Sequence, residues 1–296
     1  MKVLKPGSVL VLILGLGLPL AACDICGGIT SSVQVGLLNR VNSEYINMVY
    51  SRNLFHARED LGYDHDVFET VQLSWQKYLD DRWSILAQQG YRWNMRYSDE
   101  GEYGLNGLTN TNIAVNYRIL NRSSETLNFI WRSGLSCKLP TGRFEENLYD
   151  KNLPDNFNPS DGSWGVGLSN DLILSASNHG FILNTDYRLS FKDPRNYRRG
   201  ATATAQTTYY MNKETGELTV MPYGSIFYEW IDEYRYPSER VIDGTGGHGL
   251  FVMAGLNVDM KNFNFGLNYS HPIVSDYGEG RISAGGRLQF QTTYLF

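Results

Sequence analysis

One stretch of the chain shows the pattern that decides the fold: Phe181-Ile182-Leu183-Asn184-Thr185-Asp186-Tyr187-Arg188-Leu189-Ser190-Phe191-Lys192. Apolar and polar side chains alternate along it. One set is Phe181, Leu183, Tyr187, Leu189 and Phe191, and the other is Asn184, Asp186, Arg188, Ser190 and Lys192. Alternation with a period of two indicates a β-strand with two different faces. The stretch therefore predicts a strand with an apolar face and a charged face.

The same alternation recurs through most of the chain. It predicts strands at 43–56, 66–78, 82–98, 107–120, 125–139, 163–177, 179–192, 199–212, 217–231, 246–260, 262–273 and 283–296. A soluble β-sandwich would have strands of about half this length. Twelve long strands of this kind predict an all-β fold, a transmembrane antiparallel up-and-down β-barrel. Pro222 and Pro272 fall inside predicted strands, where we expect a bulge or a strand boundary.

The predicted connections alternate in length. Tight turns are predicted at 79–81, 121–124, 178, 213–216 and 261, and longer loops at 57–65, 99–106, 140–162, 193–198, 232–245 and 274–282. Short periplasmic turns and long outer loops are typical of bacterial outer-membrane barrels. We therefore expect both termini of the barrel in the periplasm.

Composition excludes several other classes of protein. The mean hydropathy of the 296 residues is -0.33, which excludes a bundle of transmembrane helices. A net charge of -5 argues against a nucleic-acid partner, and three cysteines are too few for a disulfide scaffold.

The N-terminus predicts export. Lys2 and Lys5 precede an apolar run at residues 9–18, and small residues precede Cys23, so residues 1–22 form a signal peptide. Residues 23–42 are predicted to be a periplasmic segment, and residues 43–296 the barrel.

Two alternatives remain for the first cysteines. Leu20-Ala21-Ala22-Cys23 fits a lipoprotein signal in which Cys23 is lipidated. Alternatively, cleavage near Ala22 leaves Cys23 and Cys26 as a Cys-x-x-Cys pair that closes a local disulfide.

The last strand carries alternate outward aromatics that end at the C-terminus. Its apolar face includes Phe290, Tyr294 and Phe296. This pattern resembles the signal that the barrel-assembly machinery reads on outer-membrane barrels, so these residues are a predicted assembly signal.

The charged faces of the strands predict the lining of the lumen. Its candidates are Arg82, Arg92, Arg96, Arg118, Arg132, Arg188, Lys192, Arg287, Asp171, Asp186 and Glu229. The excess of basic residues would favour the passage of anions. The alternative is that these charges pair across a narrow lumen and seal it.

The loop between the fifth and sixth predicted strands carries a family resemblance. Its ends read Lys138-Leu139-Pro140-Thr141-Gly142 and Gly162-Ser163-Trp164. They resemble the outer-membrane "transporter" barrels grouped with the MetA pathway of phenol degradation. Cys23-Asp24-Ile25-Cys26-Gly27 is similar to a motif in a Bacteroidetes branch of that group. The resemblance implies a barrel that transports small molecules.

These observations predict a passive channel or transporter for small molecules, with anionic or aromatic solutes as candidates. A sealed barrel with a structural or binding role is the alternative. An outer-membrane hydrolase comes third, because His248 and His271 follow Gly246 and Tyr269 by two positions and so lack an Asp-x-His pair. We expect a monomer that contacts outer-membrane lipid, the assembly machinery and solutes, with no cofactor, no metal and no catalytic residues.

The barrel topology generates a prediction about the cysteines. Cys137 is expected on the lipid side near the outer end of its strand, so about 30 Å of hydrocarbon separates it from Cys23 and Cys26. Intact mass spectrometry should find either a Cys23–Cys26 disulfide with Cys137 free, or a lipidated Cys23 with the other two thiols free. A Cys26–Cys137 crosslink would contradict the predicted topology.

Overall fold

The computed structural model describes residues 43–58, 61–148 and 153–296. Within these ranges no helix is long and apolar enough to cross a membrane. The strands there are β1 (Tyr45–Ala57), β2 (His65–Tyr78), β3 (Trp83–Ser98), β4 (Gly101–Leu108), β5 (Thr111–Ser123), β6 (Asn128–Leu139), β7 (Gly165–Ser175), β8 (His179–Ser190), β9 (Thr202–Met211), β10 (Lys213–Thr215), β11 (Leu218–Ile231), β12 (Tyr234–Arg235), β13 (Val241–Ile242), β14 (Gly247–Met260), β15 (Phe263–Tyr277) and β16 (Ile282–Leu295). The predicted signal peptide and the segment 23–42 lie outside the described residues.

The strands form one closed antiparallel barrel. β1 pairs with β16, from Tyr45 opposite Leu295 to Ala57 opposite Ile282. β9 pairs with β11, and the remaining wall strands pair in chain order. β4 and β5 both pair with β3, at its two ends, and together fill one place in the wall. The barrel therefore has twelve wall positions, which confirms the predicted fold class.

Apolar side chains face outward and polar side chains face inward. Exposed apolar residues of the outer surface include Leu73, Leu135, Phe181, Ile226, Leu267 and Phe290. Buried polar residues of the interior include Asn47, Ser74, Asn94, Thr208, Asn257 and Gln291. Cys137 pairs in register with Ile113 and Val166, so it lies on the apolar outer face. A barrel that is apolar outside and polar inside is built to sit in lipid.

The connections differ between the two ends of the barrel. The end that carries both termini of the barrel has the tight connections 79–82, 124–127, 176–178 and 261–262. The opposite end has the longer connections 58–64, 140–164, 191–201 and 232–246. At these positions the structure therefore has the predicted difference in connection length between the two ends of the barrel.

Two predicted loops are wrong in their bounds. Residues 101–106 of the predicted loop 99–106 belong to β4 (Gly101–Leu108) and extend the hairpin with β3, because alternate side chains, such as Leu105, pack into the interior. Residues 274–277 belong to β15, and the loop 232–246 contains the small hairpin of β12 and β13.

Pro272 lies at a bulge, as expected, whereas Pro222 lies inside β11 in regular register with Leu256 of β14. The pairing of β15 shifts register at Pro272 on the side of β14, and on the side of β16 it is interrupted between Ser270 and Tyr277. Pro222 lies next to Tyr223, where the pairing of β11 with β9 ends. On its other side each proline has no ladder partner, because the pairing of β11 with β9 reaches only to Tyr223 and the pairing of β15 with β16 is interrupted after Ser270.

The closure by β16 leads to a prediction about assembly. Removal of residues 290–296 takes away the pairing partners of Tyr45–Tyr50, which leaves unpaired backbone groups in lipid at a cost of several kcal/mol each. We expect little heat-modifiable protein in the outer membrane. Phe265→Ala, which removes another outward aromatic from the neighbouring β15, is the matched control and should assemble normally. Normal assembly of the truncated chain would contradict the role of this strand.

Candidate functional site

The longest connection joins β6 to β7, and its described parts, 140–148 and 153–164, fold into the mouth of the barrel. A turn of 3₁₀ helix at Asp155–Phe157 lies inside, and its three residues are buried. Leu148, Leu153 and Phe157 pack with side chains of the wall, which are Phe55, Phe68, Leu105, Phe227, Ile231, Phe251, Tyr277 and Ala284. This apolar cluster fills one side of the mouth, because burying these side chains removes them from water.

Ionic and polar contacts hold the inserted turn. Arg195 donates to Asp155 at 2.9 Å and to Asp193 at 2.8 Å. Burial alone would lower the pKa of Arg195, but the two carboxylates outweigh it and hold this pKa above its usual value. Asn94 of β3 donates to the carbonyl of Phe157 at 2.6 Å. The turn is therefore attached to the rim and to the wall.

The residues of the family motif form the base of this loop. Lys138 makes an ion pair with Asp161 and donates to Ser190 at 2.8 Å. Thr141 accepts from the backbone N–H of Thr111 at 3.0 Å. Gly142 lies against the backbone of Leu108, where no Cβ would fit. The first half of the motif, Lys138, Leu139, Pro140, Thr141 and Gly142, therefore starts the loop at the end of β6.

The second half of the motif returns the chain to β7. Gly162 has a φ of +64° and packs against Phe144. Ser163 is within 3.4 Å of the Lys138 amine, whereas Trp164 is 54% exposed on the outer surface. The two halves thus meet at the Lys138–Asp161 ion pair.

A cavity of about 200 Å³ lies beside the inserted loop, and Ile231 belongs both to its lining and to the apolar cluster. The wall contributes Gln72, Gln88, Arg92, Asn112, Lys138 and Arg188 to it. The loops contribute Asn158, Asp161 and Arg199. Asp161 lies in the loop; burial would raise its pKa, but Lys138 and Arg199 hold this pKa below its usual value. Asp161 is therefore ionised there.

Most of the predicted lumen charges lie inside the barrel, and many form ion pairs. Arg96 contacts Asp66 at 2.9 Å, Arg132 contacts Asp171 at 3.1 Å, Arg188 contacts Asp186 at 2.6 Å and Arg287 contacts Glu229 at 2.6 Å. Arg92 lines the cavity, and Arg118 is 8% exposed in the interior. Arg287 also lies 3.9 Å above the ring of Phe251.

Two predicted lumen residues lie elsewhere. Arg82 is exposed in the tight turn before β3 and donates to Tyr117 at 3.0 Å. Lys192 follows the end of β8 and pairs with Glu239 at 2.8 Å on the rim. Both residues lie just outside a strand, since β3 begins at Trp83 and β8 ends at Ser190. The alternation that predicted an inward direction therefore does not apply to them.

Ser270 is the sequence neighbour of His271, but the two side chains do not face the same side of the barrel wall. Ser270 is buried in the interior, whereas His271 is exposed on the outer face, because neighbours along a strand point to opposite sides. Among the described residues no group of three His, Cys, Asp or Glu side chains is arranged to hold a metal ion.

The sequence did not identify several residues of the cavity. Arg199 stands at the start of the predicted strand 199–212, and Asp161 stands in the predicted loop 140–162. Both lie in loops where no alternation exists, so no periodic signal shows which way they point. The one sequence signal for a role of Asp161 is its position directly before Gly162 of the motif.

Comparison with known proteins identifies the fold. The chain is similar to an outer membrane channel from Pseudomonas putida F1, with 13% identity and a TM-score of 0.65, covering 86% of this chain and 96% of that one. It is also similar to the β-domain of the Bordetella autotransporter BrkA, with 11% identity and a TM-score of 0.54, covering 86% of this chain and 100% of that one. No protein-family model and no curated protein matches the chain. The fold is that of bacterial outer-membrane barrels, and membership in the MetA group stays a prediction.

The pairing of Arg287 with Glu229 generates a stability prediction. Arg287→Met leaves the carboxylate of Glu229, which is 2% exposed, without its cation, and this should cost about 3–5 kcal/mol. The midpoint of urea unfolding in detergent should fall, and Arg287→Met with Glu229→Gln should recover much of the loss. Arg82→Met is the control on the exposed turn. Equal midpoints for Arg287→Met and the wild type would contradict the importance of this pair.

Proposed function

We propose that this protein is a channel of the bacterial outer membrane through which small solutes diffuse passively, with a preference for anions. The observation that carries the proposal is the polar cavity beside the inserted loop, lined by Arg92, Lys138, Arg188 and Arg199 and by one carboxylate, Asp161. A basic, partly dehydrated passage raises the local concentration of anions.

The rest of the interior supports a passage for hydrophilic solutes. Toward the end with the tight turns, the wall presents neutral polar side chains, among them Asn47, Ser74, Gln76, Thr208, Asn257, Asn264, Gln291 and Thr293. These side chains are buried and several are hydrogen-bonded to one another, such as Gln291 to Asn257 at 3.1 Å, so a passing solute would have to replace such hydrogen bonds. An aromatic solute has less support, since Tyr234 is the one aromatic residue in the described lining of the cavity.

The proposal includes the orientation of the barrel in the outer membrane. The tight turns and both termini of the barrel face the periplasm, and the inserted loop lies at the outer mouth. Phe290, Tyr294 and Phe296 face outward at 42%, 42% and 54% exposure, where the assembly machinery would meet them. Solutes would therefore meet the loop 140–164 first and the amide-lined region second.

A sealed barrel with a structural or binding role is the second candidate. The observation that favours it is the apolar cluster around Phe157, which fills one side of the mouth. The ion pairs Arg96–Asp66 and Arg287–Glu229 add further bulk to the same region. In that case the cavity would be a closed compartment.

Planar bilayers with the purified protein distinguish the two candidates. A channel should conduct, and its reversal potential in a salt gradient should show anion preference. Combined Arg92→Glu and Arg188→Glu substitutions should shift the reversal potential toward cation preference, because the two side chains set the local field. Arg82→Glu, with the same charge change on the exposed turn, should leave it unchanged. A wild-type protein without conductance would overturn the channel and favour the sealed barrel.

A further inference from the structure

One arginine joins the inserted turn to a neighbouring loop. Arg195, in the connection between β8 and β9, donates two hydrogen bonds to the carboxylate of Asp155, at 2.9 and 3.1 Å. It donates two more to the carboxylate of Asp193, at 3.1 and 2.8 Å. The side chains of Arg195, Asp155 and Asp193 are 16%, 12% and 5% exposed, so all three are largely shielded from water. Arg195 therefore bridges two carboxylates that belong to different loops.

Asp193 is the fixed end of this bridge. Its carboxylate also accepts from the backbone N–H groups of Arg195 and Tyr197, at 2.9 Å each. Its own N–H donates to the carbonyl of Tyr197 at 2.8 Å, which closes a small turn after β8. The guanidinium of Arg195 lies 5.1 Å from the ring of Tyr197. The guanidinium is thus positioned by its own loop, and Asp155 of the inserted turn docks onto it.

The charges of the three side chains explain how the bridge can open. Two carboxylates share one guanidinium, so negative charge exceeds positive charge in this group. Without Arg195, Asp155 and Asp193 would be like charges held close together with little water between them, which is unfavourable. Asp155 would regain water by moving outward. The inserted turn therefore has two alternatives, which are to dock through the guanidinium or to leave the mouth.

The turn contributes to both parts of the mouth. Phe157 is fully buried in the apolar cluster, whereas Asn156 and Asn158 line the cavity. On the inner side Asn94 of β3 donates to the carbonyl of Phe157 at 2.6 Å. Outward movement of the turn would join the cavity to the space that Phe157 now fills. The width of the outer mouth therefore depends on the position of this turn.

We propose that Arg195 is the positioning residue of the outer mouth: its ion pairs with Asp155 and Asp193 form a latch that holds the turn Asp155–Phe157 inside, and the mouth widens when the latch opens. The effect on solutes rests on the proposed channel function. The position of the turn is a separate property that requires no conductance, so the two proposals can fail independently.

Thiol labelling measures the position of the turn. Asn156→Cys places a thiol at a site that is 3% exposed, and a water-soluble maleimide should react with it slowly in the full-length protein, counted above the labelling of the chain without this cysteine. Adding Arg195→Met should raise the labelling rate by about tenfold or more, because a buried ion pair loses its cation. Arg198→Met is the matched control, since Arg198 lies in the same loop but pairs with Glu239 on the rim at 2.8 Å. Equal rates for the two variants would overturn the latch.

A second substitution separates charge from packing. Arg195→Met with Asp155→Asn removes the repulsion between the two carboxylates, so labelling should be slower than with Arg195→Met alone. A side chain that acts only by filling space predicts no such recovery, and equal rates would overturn the latch. If Arg195→Met gives no heat-modifiable protein, Asp155→Asn alone is compared with the wild type. It should label faster, and an unchanged rate would overturn the latch.

Planar bilayers test the width of the mouth. In a wild type that conducts, Arg195→Met should raise the single-channel conductance, and Arg198→Met should leave it unchanged. A loss of folded protein would lower the number of channels and would not raise the conductance of one channel. Faster labelling with unchanged conductance would overturn the control of width by Arg195. A wild type without conductance would overturn the channel, and the labelling rates would still decide whether the latch exists.

Discussion

The need to pair every backbone N–H and C=O group within lipid governs this structure. A sheet of twelve strands satisfies it by closing, which it does where β16 meets β1. Closure in turn fixes the two faces of each strand, because alternate side chains must point to lipid or to the lumen. The outward aromatics and the inward amides and charges both follow from that constraint.

Closure also creates a problem, because a barrel of this size encloses space that must be filled or used. The described parts of the loop between β6 and β7 fold inward and occupy part of this space. The loop's apolar residues Leu148, Leu153 and Phe157 meet aromatic side chains from one side of the wall and exclude water there. The cavity beside the loop keeps a largely polar lining. The loop thus brings an apolar cluster and a polar cavity together at the mouth, with Ile231 in contact with both.

Ion pairs neutralise several of the charges inside the barrel. A charge that is taken out of water needs a partner, and Arg287–Glu229, Arg96–Asp66 and Arg132–Asp171 supply such partners on adjacent or facing strands. Around the cavity the balance is different, since basic side chains exceed acidic ones. This local excess, and not the net charge of -5 of the whole chain, is what a solute in the lumen would experience.

The sequence by itself determined the barrel, the number of wall strands and the inward direction of residues such as Arg132 and Arg188, because a period of two is a local property of the chain. Only the tertiary structure decided where the aperiodic parts lie. The inward fold of the loop, the presence of both Arg92 and Arg199 in the cavity lining and the exclusion of Arg82 and Lys192 from the lumen all depend on contacts between distant residues. Arg199 shows the physical reason: a loop side chain takes its direction from what it packs against, here Asp155 and Tyr234, and no local pattern encodes that.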